Sequence, residues 1–393
     1  MSKLFYGSAT CNENLVGNEM RTRDISTCRC GGQKQRRSNQ CAACAQGRLN
    51  IQTPGVPSEQ TVDDDRAKRL ARSAMDSLRR RYEESLQTIE RQEKELGVVA
   101  ALHNGVNNFY IKATPGGGKS EATPVLVASD WHVEENVGAE VGGLNIFNID
   151  IAKERATRFF TAGLRLVKLL NQDVTIHNVV LALLGDFITN DIHSGEEVEM
   201  NEQQPMHALV TAQNFLISGI EFLFANSTYN FIVPCHSGNH ARTTRKTRFS
   251  AENGHSIEYL MYLHLAAYFK HEPRVTFLIP EGMLSYLTVY DQTIRFTHGH
   301  AIKYGGGIGG IFVPAYKAIS QWDKGRHADL TVMGHFHQCK DGGNFLVNGS
   351  LIGYNGFALA IKADYEPPKQ ILFLMDSKRG RTCVWPIICG DSK

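Results

Sequence analysis

The sequence predicts an α/β fold for its C-terminal two-thirds, on three observations. From Pro124 onward, short runs rich in Val, Ile and Leu alternate with long stretches of helical pattern. Each apolar run stops abruptly in polar residue types: "PVLVASD", "VVLALLGD", "NFIVPCHSGN", "TIRFTHGH" and "ADLTVMGHFH". Helical patterns around 149–171, 204–226 and 251–270 fill intervals between them. Such runs read as buried strands of a sheet layered with helices. Ligand sites in folds of this kind lie beyond the carboxyl ends of the strands.

The elements follow in chain order. The chain has 393 residues, 42% of them hydrophobic, enough for at least one large core. Residues 1–60 are polar and basic, with no sustained periodicity. Between Arg21 and Arg48 there are seven basic residues and one acid, Asp24, which suits an anionic partner, although the whole chain carries only +2. Cys28-x-Cys30 and Cys41-x2-Cys44 have the residue types of a four-thiolate structural zinc site, although the C-x-C half departs from the usual C-x2-C spacing. The other five cysteines are scattered, which points to a reducing compartment rather than a disulfide scaffold. Residues 61–97 read as one long helix. Asp63 to Asp65 supply acidic charge at its start, and neither Pro nor Gly interrupts it before Gly97. Met75, Tyr82, Ile89 and Leu96 recur every seven residues, but the companion positions Ala71, Leu78, Ser85 and Gln92 are half polar. That weak seam leaves pairing between two chains and packing on the chain's own domain both open.

Residues 98–123 read as a Gly/Pro linker, and 124–393 as the α/β domain. The linker contains "ATPGGGKS" (Ala113 to Ser120), which mimics a phosphate-binding loop. Such a loop needs a helix after its glycines, so that helix-terminal N–H groups meet the phosphates. Here "EATPVLVASD" follows, a strand pattern with Pro124 inside it, so nucleotide binding by this route is set aside. The N-terminus lacks the apolar core of a signal peptide, and no apolar run reaches the ~18 residues of a membrane span. The expectation is a cytoplasmic protein without a membrane partner.

The chemistry collects at the strand ends. In order they supply Asp130 and His132 ("SDWH"), Asp186 ("LLGDF"), Asn239 and His240 ("SGNHAR"), His298 and His300 ("THGH"), and His335 and His337 ("GHFH"). A lone buried histidine is ordinarily structural; five successive strand ends of one kind are not scatter. Mixed nitrogen and oxygen donors suit Mn, Fe, Zn or Ni better than Ca or Mg. One carboxylate has two oxygens with which to bridge two metals. A metal pair can clamp the attacking and leaving oxygens at phosphorus and bring a water towards a pKa of about 7.

D-x-H, G-D, G-N-H, H-G-H and G-H-x-H, in that order, resemble the calcineurin-like metallophosphoesterase superfamily over roughly Pro124 to the C-terminus. The resemblance implies a four-layer αββα sandwich of two mixed sheets. It implies that Asp130, His132 and His337 hold one divalent metal, that Asp186 bridges, and that Asn239, His298 and His335 hold the second. Mn is the expected metal, with Fe, Zn, Ni or Mg as alternatives. His240 would be the general acid, and Arg242 would hold a phosphate oxygen. His300 is left between an outer structural role and a substrate contact; His236 and His193 are near the site in sequence only. Glycine-rich Tyr304 to Gly310 is left between a loop lining the site and plain surface. "GDFITNDIH" and "GNHAR" depart from the Ser/Thr protein phosphatase branch. The motif string looks nearer to DNA-repair exonucleases of the SbcD type and to bacteriophage-encoded phosphoesterases, in which case the host cytoplasm is the compartment.

The expected function is therefore phosphate-ester hydrolysis by a metal-bridging hydroxide, as a nuclease acting on DNA phosphodiesters. Two alternatives stand beside it: a phosphomonoesterase or nucleotide phosphodiesterase, and a nucleic-acid-binding or structural protein with a vestigial phosphoesterase domain. The expected partners are nucleic acid and a second copy of the chain through the 62–96 helix.

Overall fold

Two six-stranded sheets carry the C-terminal unit. The computed structural model describes residues 66–87, 109–114, 119–192, 199–304 and 310–390. The four cysteines at 28, 30, 41 and 44, His193 and residues 305–309 lie outside the described residues. The chain divides into two units, Met1–Glu93 and Lys94–Lys393. In the first, residues 66–87 form a helix, α1, on which Leu70, Met75, Leu78 and Tyr82 are exposed. Ile89, Gln92 and Leu96 of the predicted heptad series lie outside the described residues.

In the second unit one sheet has the order β12-β11-β2-β3-β4-β5 and the other β1-β6-β7-β8-β10-β9. The first is built from β2 (Ala122–Ala128), β3 (Asn178–Leu183), β4 (Asn230–Pro234), β5 (Val275–Leu278), β11 (Lys369–Asp376) and β12 (Gly380–Ile388). The second comprises β1 (Phe109–Ile111), β6 (Ser285–Val289), β7 (Gln292–Phe296), β8 (Leu330–Met333), β9 (Lys340–Asp341) and β10 (Phe345–Val347). Strands β2 to β5 run parallel, and β11 and β12 add antiparallel pairs. The second sheet is likewise mixed, with β7, β8 and β10 parallel.

Side chains alternate across each strand, so a strand buried on both faces feeds two cores. Strand β2 does this. Val125 and Val127 meet Leu287, Ile294, Phe296 and Val332 of the other sheet, whereas Leu126 and Ala128 face the helices. Those helices are α2 (Ile149–Leu170), α3 (Pro205–Asn226) and α4 (Ile257–Tyr268), close to the predicted spans. On the far side, Ala315 and Ile319 of α5 (Phe312–Trp322) pack on Met333, Phe345 and Val347. A short α6 (Gly356–Ala360) follows. The layers are thus helix, sheet, sheet, helix, as expected.

Two details differ from the sequence reading. The segment 98–123 is not all linker: Phe109–Ile111 pairs in parallel with β6, and β2 starts at Ala122 with Pro124 inside it. A three-residue edge strand is too short to show alternation, which hid it. Helix α3 has the length and composition of a membrane span, although His207, Gln213 and Glu221 interrupt its apolar run. Its inner stripe of Ala208, Ala212, Leu216, Ile220 and Leu223 is buried in the core it shares with β3 and β4.

Candidate metal centre

Strands β2, β3 and β4 are parallel, and so are β7 and β8, so their carboxyl ends and following loops can deliver side chains to one place. The backbone there is unusual. Asp130, His132, Asp186, His335 and His337 all have φ between 48° and 70°, the left-handed region that side chains disfavour by about 1–2 kcal/mol. Only three other non-glycine residues among those described do so. Strain concentrated at one spot persists only where the surroundings over-determine it. Here they do: the Asp130 and Trp131 amides donate to the carbonyls of Gly185 and Asp186, and the Gly334 amide donates to that of His298.

The glycines of the motifs are explained by the same crowding. A Cβ on Gly238 would lie 1.9 Å from Asp186 Oδ1, and one on Gly334 2.5 Å from Asp130 Oδ2. The G-N-H and G-H-x-H glycines are therefore where one loop's backbone lies against another loop's carboxylate.

Three overlapping groups result, each with donor atoms within 4.8 Å of one another: Asp130, His132 and His337; His132, Asp186 and His240; and Asp186, His298 and His335. Asp186 belongs to two of them. Its Oδ2 lies 2.9 Å from His298 Nε2, which is also 3.2 Å from Asn239 Oδ1. The structure thus brings together the seven residues expected to hold metal, and His240 with them.

The ring orientations fit a metal pair. His298 Nδ1 lies 2.6 Å from the Leu184 carbonyl and His240 Nδ1 2.9 Å from that of Thr189. A carbonyl only accepts, so both Nδ1 atoms carry a proton, and Nε2 of each ring is the nitrogen that could meet a metal. His132 Nδ1 is 3.0 Å from Thr189 Oγ1, whose own proton goes to Glu135. That leaves His132 Nε2 buried without a hydrogen-bond partner, as is His337 Nδ1. Outer partners that fix the tautomer are what metal-binding histidines ordinarily have.

Electrostatics point the same way. Burial pushes His132 and His335 well below the ordinary histidine range and His337 down to about 4, so these rings are neutral, the form that binds metal. Burial, with Asp186 close by, pushes Asp130 up to about 7. Although burial acts upward on Asp186 too, His298 and His240 hold it well below the usual carboxylate range. His298 rises to about 10 against its burial, because Asp186 faces it. Two carboxylates and a charged imidazole packed this closely form a site that positive charge would relax.

Several residues that hold the centre were not singled out from sequence. Ser129 Oγ donates to Asp130 Oδ2 at 2.5 Å, and Asn348 Nδ2 donates to Ser129. Glu134 accepts the Thr189 and Asn190 amides, and Asn190 Nδ2 reaches the His240 and Arg242 carbonyls. Ser129 opens "SDWH", Glu134 lies two residues beyond it and Asn348 directly follows β10, so adjacency was a usable signal for them. Glu258 had none. It comes from α4, is fully buried, and accepts the Phe187 amide with one oxygen and the Gly238 amide with the other, both at 2.7 Å. Burial and Asp186 push its pKa upward, while the two amides, which need both oxygens as acceptors, favour the carboxylate.

Because both partners of Glu258 are donors, no orientation of a glutamine satisfies both. Glu258→Gln is expected to destabilise the fold by about 1–3 kcal/mol, the cost of an unsatisfied buried donor, read as a lower urea midpoint at unchanged m-value.

The remaining expectations divide. Arg242 folds onto its own loop: Nη1 donates to the Asn239 carbonyl and Nε to that of Thr244 at 3.1 Å. His236 is buried with Nε2 2.7 Å from Ser285 Oγ, bridging the two sheets, and belongs to none of the three groups. His300 is buried beside His298, with ring centroids 5.5 Å apart, and belongs to none of the three groups.

No family model matches the chain, and no curated protein does. Among solved structures, the hypothetical protein PH1004 of Pyrococcus horikoshii OT3 is similar at 12% identity and a TM-score of 0.34, over 69% of this chain and 89% of that one. Vps29 of Chaetomium thermophilum is similar at 10% and 0.27, over 67% and 95%. A putative 5'-nucleotidase of Staphylococcus aureus is similar at 10% and 0.27, over 69% and 55%. Likenesses this distant assign no activity. What the coordinates establish is a two-sheet α/β sandwich whose strand ends gather a buried cluster of histidines and aspartates with the donor set for divalent metal.

Proposed function

We propose that the chain is a dinuclear metal-dependent phosphoesterase acting on nucleic acid phosphodiesters, with Mn as its metal. The observation that carries this is the set of overlapping histidine and aspartate groups that share Asp186. Asp130, His132 and His337 would hold one ion, Asn239, His298 and His335 the other, and Asp186 both. Bound metals would supply Lewis-acid polarisation of the phosphoryl oxygens and a nucleophile at neutral pH.

The chain's own groups do the rest. His240 offers Nε2 to the site because Thr189 holds its other nitrogen. In this reading it would carry a proton to the leaving oxygen, a contribution of about 10²–10⁴-fold. Arg242 fixes the loop that carries Asn239, and a phosphate contact would need it to turn from that loop. Nucleic acid is favoured as substrate by basic residues in two places, Arg21 to Arg48 and Arg242 to Arg248.

The test is hydrolysis of end-labelled single- and double-stranded DNA, of free nucleotides and of p-nitrophenyl phosphate mono- and diesters, with Mn²⁺. Cleavage of DNA and of the diester is expected. Turnover of free nucleotides or the monoester alone would replace the nuclease reading with a phosphomonoesterase. Full metal loading without turnover of any ester would favour a nucleic-acid-binding protein with a vestigial site.

A further inference from the structure

Beside the metal centre, the loop between Ala241 and Ile257 is closed at its base by a bridge between Arg242 and Ser256 and by hydrogen bonds from Thr243 to His255 and from Ile257 to Ala241. It carries Arg245, Lys246 and Arg248, all exposed, and then Phe249. The Phe249 ring stacks on His300, with centroids 5.5 Å apart and planes 9° apart, yet 42% of the residue remains exposed. His300 is itself buried, and neither of its ring nitrogens has a hydrogen-bond partner; Nε2 lies 3.4 Å from Glu252. A buried imidazole left in that state beside an open aromatic face points to a ligand.

A second exposed aromatic stands at the other metal group. Phe357 is 45% exposed, and its ring lies 6.3 Å from that of His337. It is fixed by Asn355, which caps α6 and donates to Glu135. Ring contacts run from Phe249 through His300 to His298, and from Phe357 through His337 to His132. His298 and His132 each share a donor group with Asp186. The two open rings therefore stand next to different donor groups of the site.

We infer that the substrate is single-stranded nucleic acid, with Phe249 and Phe357 stacking bases on either side of the cleaved phosphate and Arg245, Lys246 and Arg248 following the backbone. This rests on the phosphoesterase reading above. A basic track joined to aromatic platforms is how unpaired strands are held without sequence preference. A duplex keeps its bases stacked inside and cannot offer them to either ring. A small phosphate ester has no second base to use the far platform.

The test compares KM and kcat of the Mn-loaded full chain on an unpaired 20-mer, the same strand as duplex, and an abasic strand. The wild type is expected to prefer the unpaired strand. Phe249→Ala should raise its KM on the order of tenfold, and Phe249→Trp should restore it. On the abasic strand Phe249→Ala should make no difference. Replacing Arg245, Lys246 and Arg248 together with glutamine should flatten the dependence of log KM on log salt by about two, at about 0.7 per phosphate contact. Equal cleavage of duplex, or a Phe249→Ala KM within twofold of wild type on the unpaired strand, overturns the inference. Turnover of bis(p-nitrophenyl) phosphate by the wild type separates that failure from failure of the metal site. If this ester too is untouched, the phosphoesterase reading falls and the inference falls with it.

Discussion

Asp186→Ala is expected to lower phosphodiester hydrolysis by about 10³-fold or more and to reduce bound Mn from two ions per chain to one or fewer. Asp186 belongs to two of the three donor groups, and its two oxygens serve different neighbours: Oδ2 faces His298, and Oδ1 accepts the His240 amide. Removing it takes a ligand from both positions and frees the loop that presents His240. A metal pair contributes several kcal/mol at the reacting phosphorus, and each 1.36 kcal/mol is tenfold in rate. Metal analysis and kinetics read the two halves separately. Retention of two Mn with full activity would show that the carboxylate is not the shared ligand. The substitution also removes a charge that holds His298 at about 10, so the His298 ring should titrate lower in the metal-free variant, which NMR can follow.

Gly238→Ala, one methyl group, is expected to cost about 3 kcal/mol or more of stability and most of the activity. Its Cβ would fall 1.9 Å from Asp186 Oδ1 and 2.3 Å from the Asp186 amide nitrogen. Backbone cannot yield as a flexible side chain can, so the two loops must part, and overpacking of that kind costs 1–3 kcal/mol or more. Parting them also breaks the Gly238 amide's bond to Glu258. Gly282→Ala is the control: its Cβ would meet nothing within 4 Å, and it should unfold within about 0.5 kcal/mol of wild type. Thermal or urea unfolding of the pair gives the comparison. Equal midpoints would mean that the loops are looser than the contact implies.

Much of this was legible in the chain. Strand ends announce themselves because a buried strand must be apolar to its last residue and then turn in the open, so "VVLALLGD" and "ADLTVMGHFH" mark both the element and the donors. What escaped was of two kinds. Strand β1 is three residues long and gains its place only by pairing with β6, 178 residues further along the chain. Glu258 sits inside a helical pattern, where an acid ordinarily faces solvent; only the packing of α4 against the loops after β3 and β4 reveals that it holds them together.

The sequence by itself determined the fold class, the order of the elements and the identity of the clustered histidines and aspartates, because hydrophobic period and side-chain chemistry are local properties. Only the tertiary structure decided which donors share a neighbour, which imidazole nitrogen faces the site, why Gly238 and Gly334 must be glycine, and where Phe249 and Phe357 stand. Those are contacts between residues far apart in the chain, and no local pattern encodes a distance across two sheets.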